Sequence, residues 1–147
     1  MTEDDNKAVV RRGVQIFNTR DWAQFEHIIA VDCLFHGFLS GLPSGPAGAR
    51  ELAARVGSAW PDDQWTIEEL LAEGDRVMVR ITSRATHLGR WLGLPPTGKR
   101  IEHQAILLFR IRDERIAEAW WFADDFTRLK QLGAHAILED APDHPSR

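Results

Sequence analysis

Residues 101–126 read IEHQAILLFRIRDERIAEAWWFADDF, and the fold class turns on how this stretch is divided. Its two arms are rich in Ile, Leu, Phe, Ala and Trp, while its middle, Arg112-Asp113-Glu114-Arg115, is wholly charged. Apolar arms broken by a short charged segment predict two antiparallel strands, 101–111 and 116–126, joined by a tight turn. A two-residue turn at Asp113-Glu114 sets Arg112 opposite Arg115. Counting outward pairs Leu107 with Trp120, Ala105 with Phe122 and His103 with Asp124, each pair on one face with Cβ atoms about 4.5–5.5 Å apart. A bulge anywhere in the hairpin breaks that register. Both faces are largely apolar, Ile101, Ala105, Leu107 and Phe109 on one, Ile106, Leu108 and Trp121 on the other. A sheet apolar on both faces requires cover on both. One face is expected to meet helices or a cavity. The other is expected to be a subunit interface, since exposed apolar sheet of that size is rare in monomers.

Upstream, Trp65–Ala72 and Val77–Thr86 form a second expected hairpin turning at Gly74-Asp75, which sets Arg80 opposite Glu69 and Arg84 opposite Trp65. A Gly- and Pro-rich loop, His87 to Arg100, connects the hairpins. The N-terminal half is helical. Val10, Val14 and Phe17 make an apolar stripe over a helix at about 7–18. Asp21 caps a short second helix with Phe25, Ile28 and Ile29 facing in. A short strand is expected at 31–38, a loop at 39–48, and a third helix at about 46–59 with Pro46 in its first turn. Helices segregated from strands indicate α+β rather than alternating βαβ units. The expected architecture is a conical, curved antiparallel sheet packed on three N-terminal helices, one domain over residues 7–135. Residues 1–6 and 136–147 are expected to be loose ends.

A length of 147 residues is about one domain on a prior of ~150 residues. Apolar residues make up 44% and charged residues 27%, which suits a folded core and excludes a disordered chain. Acidic residues number 22 against 18 basic, and no Lys/Arg run occurs, so a nucleic-acid surface is not expected. No apolar run reaches ~18 residues and the first residues are acidic, so neither a membrane span nor a secretory signal is expected, and the cytoplasm is the expected compartment. The lone Cys33 excludes an internal disulfide. Six Trp and seven Phe with no Tyr suit an apolar pocket as well as a core.

The connecting loop, Thr86-His87-Leu88-Gly89-Arg90-Trp91-Leu92-Gly93-Leu94-Pro95-Pro96-Thr97-Gly98-Lys99, resembles a loop of the SnoaL-like polyketide cyclases. Further resemblances lie in Phe17-Asn18-Thr19-Arg20-Asp21-Trp22, in Arg110 to Ile116, in Trp120 with Asp124-Asp125, and in Leu129-Lys130-Gln131-Leu132-Gly133. Together they span about residues 7–133. The resemblance implies a cone like that of nuclear transport factor 2, homodimeric or homotetrameric. It also implies a cofactor-free enzyme closing a polyketide ring by intramolecular aldol condensation, with an acid/base aspartate and a histidine on the last two strands. Aligned on the hairpin, those two positions fall on Trp121 and Leu107, neither of which can carry a proton.

Read on its own residues, the sequence offers His103 and Asp124 as the catalytic pair, with Leu107, Trp120 and Phe122 as an apolar bed for a flat substrate. The alternative is that Asp124 caps the tail helix and His103 bonds to it. His36 resembles a histidine that relatives hold near the pocket mouth. His87, opening the loop, either touches substrate or braces the loop, and Trp91 either touches substrate or packs in the core or a dimer interface. Asp125, facing away from Asp124, pairs a cation or caps the helix. His36, His87 and His103 have no ligand-like spacing, so no metal is expected, and the resemblance implies no cofactor. Three functions remain open: a cofactor-independent enzyme on a hydrophobic natural-product intermediate, a non-catalytic small-molecule-binding module, and a tailoring hydroxylase or epoxide hydrolase.

Overall fold

The computed structural model describes residues 1–134, and the expected loose tail at 136–147 lies outside them. Helix α1 spans Glu3–Thr19, beginning earlier than the apolar stripe alone indicates. The reason is a reciprocal cap: the Asp5 N–H donates to Thr2 Oγ1 at 3.1 Å and the Thr2 N–H to Asp5 Oδ2 at 2.8 Å. Glu3, Asp4 and Asp5 then place negative charge at the positive end of the helix dipole. Val10, Val14 and Phe17 are buried on its inner face. Helix α2, Trp22–His27, is capped by Asp21, and Ile29 belongs to the following strand instead of this helix. Strand β1 (Ile29–His36) precedes α3 (Gly45–Ala59), β2 (Gln64–Glu73), β3 (Arg76–Thr86), β4 (Arg100–Arg112), β5 (Arg115–Ala123) and α4 (Asp125–Gln131).

The sheet order is β1-β5-β4-β3-β2. Both expected hairpins form, β2 with β3 and β4 with β5, and β3 pairs β4 antiparallel. The sheet is mixed and not wholly antiparallel, because β1 joins its edge parallel to β5. Strands this far apart in sequence are free of the hairpin constraint that forces antiparallel pairing. Helix α1 lies against β2, β3 and β4, α3 against β1, and α4 against β4. The helices therefore cover one face, and Val79, Ile81, Ala105, Leu107 and Phe109 are buried on it. Cys33 is buried among them, and burial pushes its thiol up to about 12, so it is no nucleophile at neutral pH. No helix among the described residues is long and apolar enough to cross a membrane.

Two irregularities decide which side chains face inward. In the first hairpin the register shifts between Ile67 and Glu69, so Glu69 meets Arg80 as expected but Trp65 meets Ser83, and Arg84 meets Gln64. In the second, Asp113 and Glu114 take positive φ of 51° and 60°, the tight turn that suits strand twist, and Arg112 pairs Arg115. The register then shifts: Ile111 meets Ile116 but Arg110 meets Glu118, leaving Ala117 as a bulge. Beyond it every residue of β5 turns to the face opposite the one expected. Leu107 meets Trp121, Leu108 meets Trp120 and Ile106 meets Phe122. The uncovered face thus carries Trp120 and Phe122 beside Ile106, Leu108 and Met78, with Phe122 65% exposed.

Candidate active site

Between the helices and the covered sheet face lies a cavity of about 260 Å³. Phe17, Phe25, Phe35, Phe38, Trp65 and Trp121 supply aromatic wall, and Leu107 and Phe109 supply floor. The rings hold one another. Phe17 stacks on Trp65 at 4.0 Å between centroids, and Trp65 and Trp121 lie 5.7 Å apart. Gly37, at φ +74°, lets the β1–α3 connection pass directly over the strand, since a Cβ there would sit 2.3 Å from the Trp121 carbonyl oxygen. Gly89 does the same for the loop after β3, whose backbone touches the Ser58 carbonyl at the end of α3.

The polar groups of this cavity gather at one end. His103, from β4, is buried at 4% exposure, and neither ring nitrogen has a hydrogen-bond partner. Desolvation pushes its pKa down to about 4, the Arg128 charge adding to the effect, so the imidazole is neutral near pH 7. Ser83 stands directly opposite it on β3 and donates from Oγ to Asp63 Oδ1 at 2.6 Å. Trp65 Nε1 donates to Asp63 Oδ2 at 3.2 Å. Asp63 is buried at 8% exposure, and desolvation raises its pKa against the opposing pull of these donors. Arg128, from α4, pairs with Asp125 at 2.6 Å and lies 5.4 Å from the Trp91 ring centre and 5.8 Å from that of Trp60. The Nε1 atoms of Trp60 and Trp91 are buried without partners. No group of three His, Cys, Asp or Glu able to hold a metal lies together among the described residues.

Of the residues chosen from sequence, His103, Leu107 and Trp91 line the cavity. Asp124 does not: it is exposed and caps α4, accepting from Thr127 N at 3.1 Å and Oγ1 at 2.6 Å, and these bonds hold its carboxyl below the usual range. Trp120 and Phe122 lie on the uncovered sheet face, reversed by the Ala117 bulge, and Trp121 takes the place expected for Trp120. His36 is on that outer face too, bonded to Glu118 Oε2 at 2.7 Å and stacked on Trp120. His87 is fully buried and braces its loop: Nδ1 accepts from Thr97 N at 3.2 Å, and the ring stacks on Trp60. Sequence reasoning missed Asp63, Ser83 and Arg128. The one available signal was a Pro61-Asp62-Asp63 turn running straight into a strand that carries Trp65 and Ile67.

A family model described as SnoaL-like polyketide cyclase matches residues 7–132. The chain is 29% identical over 123 residues to nogalonic acid methyl ester cyclase of Streptomyces nogalater, covering 82% of this chain and 91% of the relative. It is 28% identical to aklanonic acid methyl ester cyclase DnrD of Streptomyces peucetius, over 85% of this chain and 88% of the relative. Among solved structures, TsrD from Streptomyces laurentii superposes with a TM-score of 0.82 at 25% identity, covering 91% of this chain and 98% of TsrD.

Proposed function

The chain belongs to the SnoaL-like polyketide cyclase family, and on that premise we propose that it closes a ring in a hydrophobic polyketide intermediate, without a cofactor, by proton transfer inside the cavity. The observation that carries this reading is His103: an imidazole buried in an aromatic cavity, neutral, with both nitrogens unpartnered. A buried polar group without a partner costs about 1–3 kcal/mol, a cost that a bound substrate oxygen or hydroxyl removes. The aromatic wall suits a flat conjugated chain. Holding such a chain folded supplies much of the rate, since well-oriented intramolecular reactions gain about 7–11 kcal/mol from orientation. His103 then meets the oxygen on which charge develops. The relatives' names supply the substrate class to try first, polyketide methyl esters.

The uncovered sheet face, with Ile106 and Phe122 exposed beside Trp120, completes the reading as the surface for a second copy of the chain.

The test is turnover of nogalonic acid methyl ester and aklanonic acid methyl ester, with ring closure to the isomeric product followed by chromatographic separation and absorbance. Ring closure by the wild type, reduced at least tenfold in His103→Ala with melting temperature retained, supports the reading. Tight binding with no turnover reassigns the fold to ligand binding, the reading that the apolar Leu107–Trp121 pair favours.

A further inference from the structure

We propose that Asp63, in the turn between α3 and β2, is the carboxylate that takes and returns the proton in this cavity. The inference rests on the cyclase reading above and deepens it. The last two strands present Leu107 and Trp121 to the cavity, so β4 and β5 offer no carboxylate there. Among the described residues lining the cavity, the titratable side chains are Asp63, His103, Asp125 and Arg128. Asp125 is exposed and spent on Arg128. Asp63 is the buried carboxylate, and no Lys or Arg of the described residues forms an ion pair with it. Arg20 and Arg128 favour its charged form from farther off, but a buried charge with no direct ion-pair partner remains expensive. A purely structural role, holding Ser83 and Trp65, would be served by an asparagine or glutamine without that expense.

Its geometry suits proton transfer. Each oxygen accepts one bond, from Ser83 Oγ and from Trp65 Nε1, which fixes the carboxylate plane and leaves further acceptor lone pairs. Ser83 is the cross-strand neighbour of His103, so the carboxylate and the unpartnered imidazole approach a bound substrate from adjoining positions. Burial makes Asp63 a stronger base than a solvated carboxylate, closer to the acidity of an activated carbon. In a ring-closing aldol step Asp63 takes the proton from the carbon beside the ester carbonyl. The electron pair left behind forms the new carbon–carbon bond to the ketone carbon, whose C=O π bond breaks onto oxygen. The alkoxide, met by His103, receives the proton back from Asp63. Carboxylate and imidazole are regenerated and no co-reactant is consumed.

The test compares wild type, Asp63→Asn and Ser83→Ala on nogalonic acid methyl ester, reading kcat, KM, melting temperature and deuterium uptake at the substrate's acidic carbon in heavy water. Asp63→Asn is expected to lower kcat at least a hundredfold, leave KM within threefold, and abolish deuterium uptake. Asn can keep both contacts, its oxygen accepting from Trp65 Nε1 and its amide donating to Ser83 Oγ, so the fold is retained. Should Asp63→Asn fail to fold, Ser83→Ala carries the test. Removing a donor that favours the carboxylate moves the acidic limb of the kcat/KM profile to higher pH, and an unmoved limb overturns the assignment. Asp63→Asn with kcat within threefold of an active wild type overturns Asp63 alone and leaves the cyclase reading standing. A wild type that neither closes the ring nor exchanges deuterium overturns both.

Discussion

Leu107 and Trp121 stand directly opposite each other across β4 and β5, and both line the cavity. A cross-strand pair of this kind, side by side on one face, is where a short acid/base contact between the last two strands would be built. Here it is hydrocarbon and indole. The pair supplies packing and shape, and in the proposed mechanism the proton chemistry falls to His103 and Asp63 instead.

Filling the space beside that pair should therefore block the cavity without removing a titratable group. Leu107→Trp is expected to cost about 1–3 kcal/mol by overpacking and to weaken binding of a polyketide methyl ester at least tenfold, measured by calorimetry. Unchanged affinity would place the binding site elsewhere.

Asp124 separates capping from catalysis. Asn is as good an N-cap as Asp, whereas Ala loses about 0.5–2 kcal/mol. Asp124→Asn is expected to keep both melting temperature and turnover within threefold of wild type, and Asp124→Ala to lower the melting temperature. A tenfold fall in kcat for Asp124→Asn at unchanged stability would return this carboxylate to the mechanism.

The buried imidazole gives stability a defined pH dependence. His103 falls from an ordinary 6.5 to about 4 in the folded chain. Between those values the unfolded chain binds a proton that the folded one does not, so stability drops as pH falls from 6.5 toward 4, by at most about 1.4 kcal/mol per pH unit. Asp63, raised by burial, contributes with the opposite sign above the ordinary carboxylate range. The measurement is thus the difference between wild type and His103→Phe in urea unfolding. Wild type should lose about 1–3 kcal/mol more than the variant between pH 7 and pH 4.5. Parallel curves would mean that His103 titrates normally.

The outer face makes a prediction about assembly. Phe122→Glu and Ile106→Lys place charge on a surface that none of the described residues covers. Sedimentation should show wild type as a dimer or larger and the double variant as a monomer. A monomeric wild type at micromolar concentration would remove the second copy from that face.

The helices, both hairpins and their turns were legible because each is a local pattern: a cap, a stripe, two charged turn residues. The inward set of β5 was not. Ile116 and Ala117 are both apolar and both buried, so alternation in the sequence carries no mark of where the extra residue falls. One uncounted residue exchanged Trp120 for Trp121 and removed Asp124 from the neighbourhood of the pocket. His103 survived the error because it precedes the bulge on the partner strand, where β3 sets its facing independently. Asp63 and Arg128 were hidden for a different reason. A carboxylate in a turn and an arginine on a short helix both read as solvated charge until tertiary packing folds them over a cavity.

The bulge at Ala117 works as a parity switch. Adding or deleting a single residue there would trade the lining of the chamber for the outside of the subunit along the rest of β5, with no substitution at any wall position. Relatives that differ by one residue at this corner would present different chemistry to the same guest, and alignments that slide a gap across it would match residues that point in opposite directions.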